Sequence, residues 1–152
     1  MVGQCCDLSG VPERLLSFWP GPLTILLKAR KPFAAPLLDK AGRVAVRVSS
    51  HPAAIALSKS LGSPITATSA NISGREAVFL ACDLDRELTE AVGLVADLEP
   101  APKGGLPSTI VSLAGDGRII LHREGAISKE RLLQAGLELA EDKTAASPEP
   151  AV

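Results

Sequence analysis

The sequence predicts an α/β or α+β fold with a mixed sheet, and three observations carry that prediction. Short apolar or β-branched runs of strand length alternate with amphipathic stretches of helical length. Two of the runs, 108–113 and 118–123, flank Asp116-Gly117, a hairpin signal that makes them antiparallel neighbours. Other runs are separated by helical segments, as crossover connections require. The count is about six strands and four helices, so hairpins and crossovers share one sheet.

Taken in order, residues 11–19, VPERLLSFW, read as an amphipathic helix. Leu15, Leu16, Phe18 and Trp19 form its apolar side, and Pro12 sits where a first turn tolerates a missing N–H. Pro20-Gly21-Pro22 ends it. Residues 23–28, LTILLK, form a buried strand. A proline-containing connection over 29–42 follows, with a short helix near Pro36 to Lys40.

Residues 43–48 alternate strictly, placing Val44, Val46 and Val48 on one face and Arg43, Ala45 and Arg47 on the other. Those two arginines read either as a solvated edge or as a pair facing an anion. A helix over 51–61 is capped by Ser49 or Ser50 and stopped by Gly62, with His51 as a capping or packing residue. Residues 63–74, SPITATSANISG, begin as a β-branched run and break into hydroxyl and amide groups. That pattern is a strand delivering a polar loop, a common way for an α/β domain to present groups to a ligand.

Beyond it, 83–92 is an acidic helix, 92–98 a strand and 100–107 a Pro/Gly loop. After the hairpin, Ser128 starts a helix with Glu130 in its first turn and Arg131, Leu132, Leu133, Leu137 and Leu139 following. Residues 141–152 turn to Ala, Ser, Pro and acids, the composition of a disordered tail.

Composition limits the function classes. A chain of 152 residues suits one domain with a real core. No apolar run has the length of a membrane span, and MVGQCCDLSG lacks the basic and apolar regions of a signal peptide. The expected compartment is the cytoplasm, with no membrane partner. Aromatics make up 3% and tyrosine is absent, which disfavours stacking platforms for single-stranded nucleic acid. Cys5, Cys6 and Cys82 have no metal-binding spacing and read as small packing residues.

The net charge of −1 hides a strong polarity. From Lys28 to Arg75 stand Lys28, Arg30, Lys31, Lys40, Arg43, Arg47, Lys59 and Arg75 against the single acid Asp39. From Glu76 to Glu99 the balance reverses, with Arg86 the one base. The basic half reads as solvated faces or as a field favouring a small anionic ligand.

Neither common phosphate loop is present, no G-x-S-x-G surrounds a serine, and no His or Cys cluster has metal-ligand spacing. The residues therefore nominate no catalytic nucleophile or base and no metal ligand. They nominate positioning groups: hydroxyls at Thr68, Ser69, Ser73 and Ser108, the Asn71 amide, and guanidiniums at Arg43, Arg47 and Arg123. Arginine forks and hydroxyls suit carboxylates and phosphates. Phosphoryl and nucleotidyl transfers need little beyond such placement and charge neutralisation.

Five phrases now stand in order: FWPGPLTILLKA (18–29), RVAVRVSSHP (43–52), ATSANISG (67–74), PSTIVSL (107–113) and LHREGAIS (121–128). Together they resemble the YrdC-type threonylcarbamoyl-AMP synthases over most of residues 12–135. The resemblance implies a twisted α/β, DHBP synthase-like fold and a nucleotidyltransferase activity. Such enzymes join L-threonine, bicarbonate or CO2, and ATP into threonylcarbamoyl-AMP and pyrophosphate, with Mg2+ accompanying the ATP. The product feeds adenosine-37 threonylcarbamoylation of tRNA by a downstream transferase machinery.

Carried over by motif, the resemblance assigns threonine binding to Arg47, Ser69 and Ser108, and ATP binding to Arg43, Asn71 and Arg123. It covers a YrdC-like domain over 11–140 and leaves 1–10 unmatched. The family's upstream P-T-E-T-x-Y-G-L and K-x-R-P segments have no counterpart, since only 18 residues precede Trp19. Lys28-Ala29-Arg30 falls where the family has an ordinary strand end. The expectation is an N-terminally incomplete domain, poorly soluble or inactive when made alone. A non-catalytic module binding tRNA or other double-stranded RNA is the alternative.

Overall fold

The computed structural model describes residues 1–102 and 104–141, so of the expected tail only Glu141 lies within the described residues. The described residues divide into two compact units, 1–49 with 106–141, and those between 50 and 105.

The first unit is built on four strands: β1 (Leu23–Lys28), β2 (Arg43–Val46), β3 (Thr109–Leu113) and β4 (Ile119–Arg123). Their order is β2-β1-β3-β4, with β1 antiparallel to β2, parallel to β3, and β3 antiparallel to β4. The mixed sheet and the hairpin at Asp116-Gly117 are as the sequence predicts. Ala114 N–H closes the hairpin on Arg118 O at 2.9 Å, and Asp116 Oδ1 accepts from Arg118 N–H at 3.1 Å.

Strand alternation decides what each face holds. Leu23, Ile25 and Leu27 of β1, Val44 of β2, Val111 of β3 and Ile119 of β4 are buried on one face. Cys6, Leu15, Ile127, Leu132 and Leu137 complete that core among the described residues. The other face carries Thr24, Leu26 and Lys28 from β1, Arg43 and Ala45 from β2, Ile110 and Ser112 from β3, and Arg123 from β4.

Two helices cover the core, each shorter than its sequence suggests. α2 (Glu13–Leu16) has Pro12 as N-cap, and its last turns loosen through Trp19 because a residue before proline is pushed out of the helical region. Gly21 follows in a site where a Cβ would run into the Phe18 carbonyl oxygen. Near the C-terminus, Ser128 Oγ caps Lys129–Gln134 by accepting Arg131 N–H at 3.2 Å. The helix was expected to continue past Leu137. Instead Gly136, at φ +76°, donates to Leu133 O while Leu137 N–H reaches Leu132 O. This Schellman closure folds Leu137 into the core and lays Leu139 beside Ile119 of β4.

Residues 1–10 are part of this unit. A short helix, α1 (Val2–Cys5), leads to Cys6, which bridges Ala29 beyond the end of β1 and is 1% exposed. Burial pushes the Cys6 thiol up, as does neighbouring Cys5, in keeping with a packing role.

The second unit contains α3 (Pro52–Leu61) and α4 (Arg86–Ala91). Gly62 ends α3 in the left-handed conformation, as expected. Its N-cap is His51 rather than Ser49 or Ser50, because Pro52 takes the first helical position. The strands expected at 64–68 and 92–98 are absent. A strand exists only as half of a ladder, and within the described residues of this unit no extended run pairs with another. Ile65, Leu94, Val95 and Leu98 are left exposed, and no described residue of the unit belongs to the buried apolar core.

Candidate functional site

The site starts from Thr109, which is fully buried at the head of β3. Its hydroxyl donates to Ile127 O at 2.6 Å and accepts the N–H groups of Gly125 and Ile127, both at 3.0 Å. One side chain thereby clasps the turn after β4. Gly125 is required there, since a Cβ would collide with Pro107 O and the Ser108 backbone. The turn so held brings Arg123 against Ser108. Arg123 Nε and Nη2 donate to Ser108 O at 3.1 and 2.8 Å, and Nη2 also lies 3.3 Å from Ser108 Oγ.

Thr24 Oγ1 sits 2.8 Å from Ser108 Oγ on the other side. The sheet register then draws a line across one face. Arg123 is opposite Ile110 and Ile110 is level with Thr24, while Arg47 directly follows Val46, the last residue of β2 and the partner of Ile25. Gly21 N–H, held by the P-G-P turn, donates to Val48 O at 2.9 Å and keeps the chain around Arg47 extended. Two exposed guanidiniums, Arg47 and Arg123, thus flank a pair of hydroxyls. This arrangement suits an elongated ligand with anionic groups at both ends.

Arg43 does not join this group. It stands opposite Lys28 at the far end of β1 from Thr24. Its Nε donates to Asp39 Oδ2 at 2.7 Å and its N–H to Asp39 Oδ1 at 2.8 Å. Burial works against the Asp39 charge, but the bonds from Arg43 and Ala41 outweigh it and hold the carboxyl below its usual range. Arg43 and Lys28 line a hollow of about 160 Å3 with Asp7 and Ser9.

Ser69 and Asn71 lie in the second unit, in an irregular loop where Ser69 is exposed. Asn71 Nδ2 donates to Ile72 O at 3.1 Å and to Arg75 O at 2.8 Å, while Arg75 N–H returns to Ile72 O. Gly74, at φ +86°, supplies the turn with a conformation other residues resist. The Asn71 amide nitrogen therefore shapes its own loop. Its Oδ1 is a buried atom without a partner among the described residues, leaving an acceptor in hand.

The Ser112–His122 pair, at 2.8 Å, has the look of a nucleophile and base. Ser112 is 0% exposed, so no substrate reaches its oxygen. Sequence reasoning singled out neither Thr24 nor Thr109. The signal for Thr24 was its position, a polar side chain on the opposite face from Leu23, Ile25 and Leu27 in a run read as buried.

A family model described as "Telomere recombination", the Sua5–YciO–YrdC model, matches residues 1–125. The chain belongs to the Sua5–YciO–YrdC family. Among curated members it is 38% identical over 143 residues to the threonylcarbamoyl-AMP synthase of Bacillus subtilis (strain 168), covering 86% of this chain and 39% of that one. It is 37% identical over 123 residues to the Schizosaccharomyces pombe (strain 972) protein of the same name, covering 78% and 30%. The chain thus spans less than half the length of either relative. Among solved Sua5–YciO–YrdC structures, a double variant of P. abyssi Sua5 superposes with a TM-score of 0.73 at 27% identity, covering 91% of this chain and 43% of that one. P. abyssi Sua5 in complex with L-threonine gives 0.64 at 26% identity, covering 86% and 39%.

Proposed function

We propose that this chain supplies threonine- and ATP-binding groups of a threonylcarbamoyl-AMP synthase. The observation that carries the reading is the Thr24–Ser108 hydroxyl pair with Arg123 seated on Ser108, and with the exposed Arg47 just past the end of β2, the strand next to β1. The names of its relatives and the L-threonine bound to P. abyssi Sua5 support the same assignment.

In this reading Arg47 takes the threonine carboxylate in its fork, and Ser108 adds a hydroxyl to the same ligand. Arg123 meets the phosphates, whereas Arg43, apart from this group and paired with Asp39, has its ATP assignment from the motif resemblance alone. The motif resemblance adds Ser69 as a threonine-binding group and Asn71, whose Oδ1 is an acceptor without a partner among the described residues, as an ATP-binding group. The threonine amine adds to CO2 and loses a proton, giving a carbamate. A carbamate oxygen then forms a bond to the α-phosphorus as the bond to the bridging oxygen breaks and pyrophosphate leaves. The guanidiniums offset charge along that path, so placement and electrostatics do the work without a protein nucleophile.

Mg2+ belongs to the proposal as the companion of ATP, adding charge neutralisation at the phosphates. Among the described residues no group of three or more His, Cys, Asp or Glu side chains could hold a metal. The donor set at Arg123 and Ser108 likewise offers no carboxylate, so it fits an ion carried on phosphate oxygens rather than a protein cage. The adenylate would pass to the tRNA threonylcarbamoyl transferase machinery, the cytoplasm being the expected setting. No described helix is long and apolar enough to cross a membrane.

Calorimetric titration of L-threonine, with and without Mg-ATP and bicarbonate, tests the reading. Saturable binding that Arg47→Ala or Ser108→Ala weakens at least tenfold is expected. Absence of L-threonine binding, together with salt-sensitive binding of tRNA, would replace it with the RNA-binding alternative.

A further inference from the structure

We infer that Thr24 is a positioning residue that makes the Ser108 hydroxyl an outward-facing hydrogen-bond donor. The inference rests on the threonine reading above and adds to it a residue and a direction of bonding.

Two oxygens 2.8 Å apart, Thr24 Oγ1 and Ser108 Oγ, share one proton position between them. Which oxygen donates is decided by what else surrounds each. Thr24 is 9% exposed, and among the described residues the Ser108 hydroxyl is its hydroxyl's one hydrogen-bond partner. Ser108 Oγ has a second neighbour, Arg123 Nη2 at 3.3 Å, and a guanidinium only donates.

If Ser108 donated inward, the buried Thr24 proton would have no acceptor. If Thr24 donates, its proton is satisfied and both lone pairs of Ser108 are engaged, one by Thr24 and one by Arg123. The proton of Ser108 is then the one group of that hydroxyl left for a ligand. The cation behind it polarises the O–H and strengthens it as a donor.

A hydroxyl so arranged selects its partner. It meets an acceptor oxygen, such as that of an amino-acid carboxylate or a carbamate, and disfavours an ammonium group at the same point. Thr24 touches no substrate in this arrangement and acts through Ser108. Thr24→Val keeps the shape and removes the donor, so Ser108 is free to turn its proton inward or sideways.

The test measures calorimetric dissociation constants for L-threonine and Mg-ATP, with melting temperatures, on the full 152-residue chain. Thr24→Val is expected to weaken L-threonine about tenfold, the scale of one hydrogen bond to a charged group. Thr24→Ser should restore binding, and Mg-ATP affinity should not change. Thr24→Ala replaces the valine variant where that variant does not fold.

Three results overturn the inference. If Thr24→Val binds threonine normally while Ser108→Ala does not, Thr24 has no positioning role and the threonine reading survives. If Thr24→Val lowers both affinities alongside the melting temperature, the residue is only packing. If the unsubstituted chain binds no threonine, or Ser108→Ala changes nothing, the threonine reading itself fails and this inference with it.

Discussion

The hydroxyl of Thr109 lies 2.6 Å from the carbonyl oxygen of Ile127, eighteen residues along the chain, and joins β3 to the turn after β4. The same oxygen accepts two backbone N–H groups, so this side chain satisfies three buried polar groups at once. Thr109→Val preserves volume and strands all three. The expected loss is about 3 kcal/mol of unfolding free energy, as leaving buried groups unpaired costs roughly 1–3 kcal/mol each with partial relaxation. Urea unfolding should show a lower midpoint with an unchanged slope.

Gly125→Ala probes the same turn from the other side. Its Cβ has no room beside Pro107 O and the Ser108 backbone. Displacing that backbone is expected to cost about 2 kcal/mol, within the usual range for overpacking. Arg123 would lose its seat on Ser108 O, so Mg-ATP affinity should fall together with stability. An unchanged urea midpoint would contradict the geometry.

Acid stability follows from three aspartates. Asp7 is held at about 2, below its ordinary 3.8, first by the Ser9 N–H, then by the Ser9 side chain and by Arg30. Asp39 is lowered by its bonds to Arg43 and Ala41 against the effect of burial, and Asp116 by the Arg118 side chain and N–H. A depressed native pKa means the unfolded chain takes up protons first on acidification. The stabilisation is complete above the unfolded value and is lost as pH falls from about 4 toward 2. Urea midpoints should therefore hold steady down to about pH 5 and then decline. Asp7→Asn should be less stable than the parent at pH 6, with the gap closing near pH 2.

The two units should differ in hydrogen exchange. Every member of the buried apolar core belongs to residues 1–49 or 106–141, while Leu57, Leu61, Phe79, Leu94 and Leu98 of the second unit are exposed. Amides of β1 and β3 should exchange slowest, and those of 63–80 and 92–102 within the fastest class. Uniform protection across the chain would contradict the division.

What the sequence revealed follows the same division. In the first unit each strand has a partner within the described residues, so alternation at Val44 and Val46, the apolar run 23–28 and the Asp116-Gly117 turn all led to correct elements. Helix ends were harder, because the Gly136 closure depends on Leu137 finding the core, which no local pattern shows. The β-branched run at 64–68 has strand propensity yet forms none, since propensity cannot supply a ladder. At the site, Arg47, Ser108 and Arg123 were legible as residue types in motifs. Thr24 was not, because its role comes from an oxygen contributed 84 residues later. Arg43 was legible as a motif, but its pairing with Asp39 and its place opposite Lys28, at the far end of β1 from Thr24, emerged only from the structure.

The most direct test of the central claim is a nitrogen-15 NMR titration that follows the arginine side-chain Nε–H signals. L-threonine should shift the Arg47 signal saturably, and Mg-ATP should shift that of Arg123, with Arg86 of α4 unmoved by either. If L-threonine moves no arginine signal, or D-threonine moves Arg47 equally, the group of Arg47, Thr24, Ser108 and Arg123 is not a threonine site.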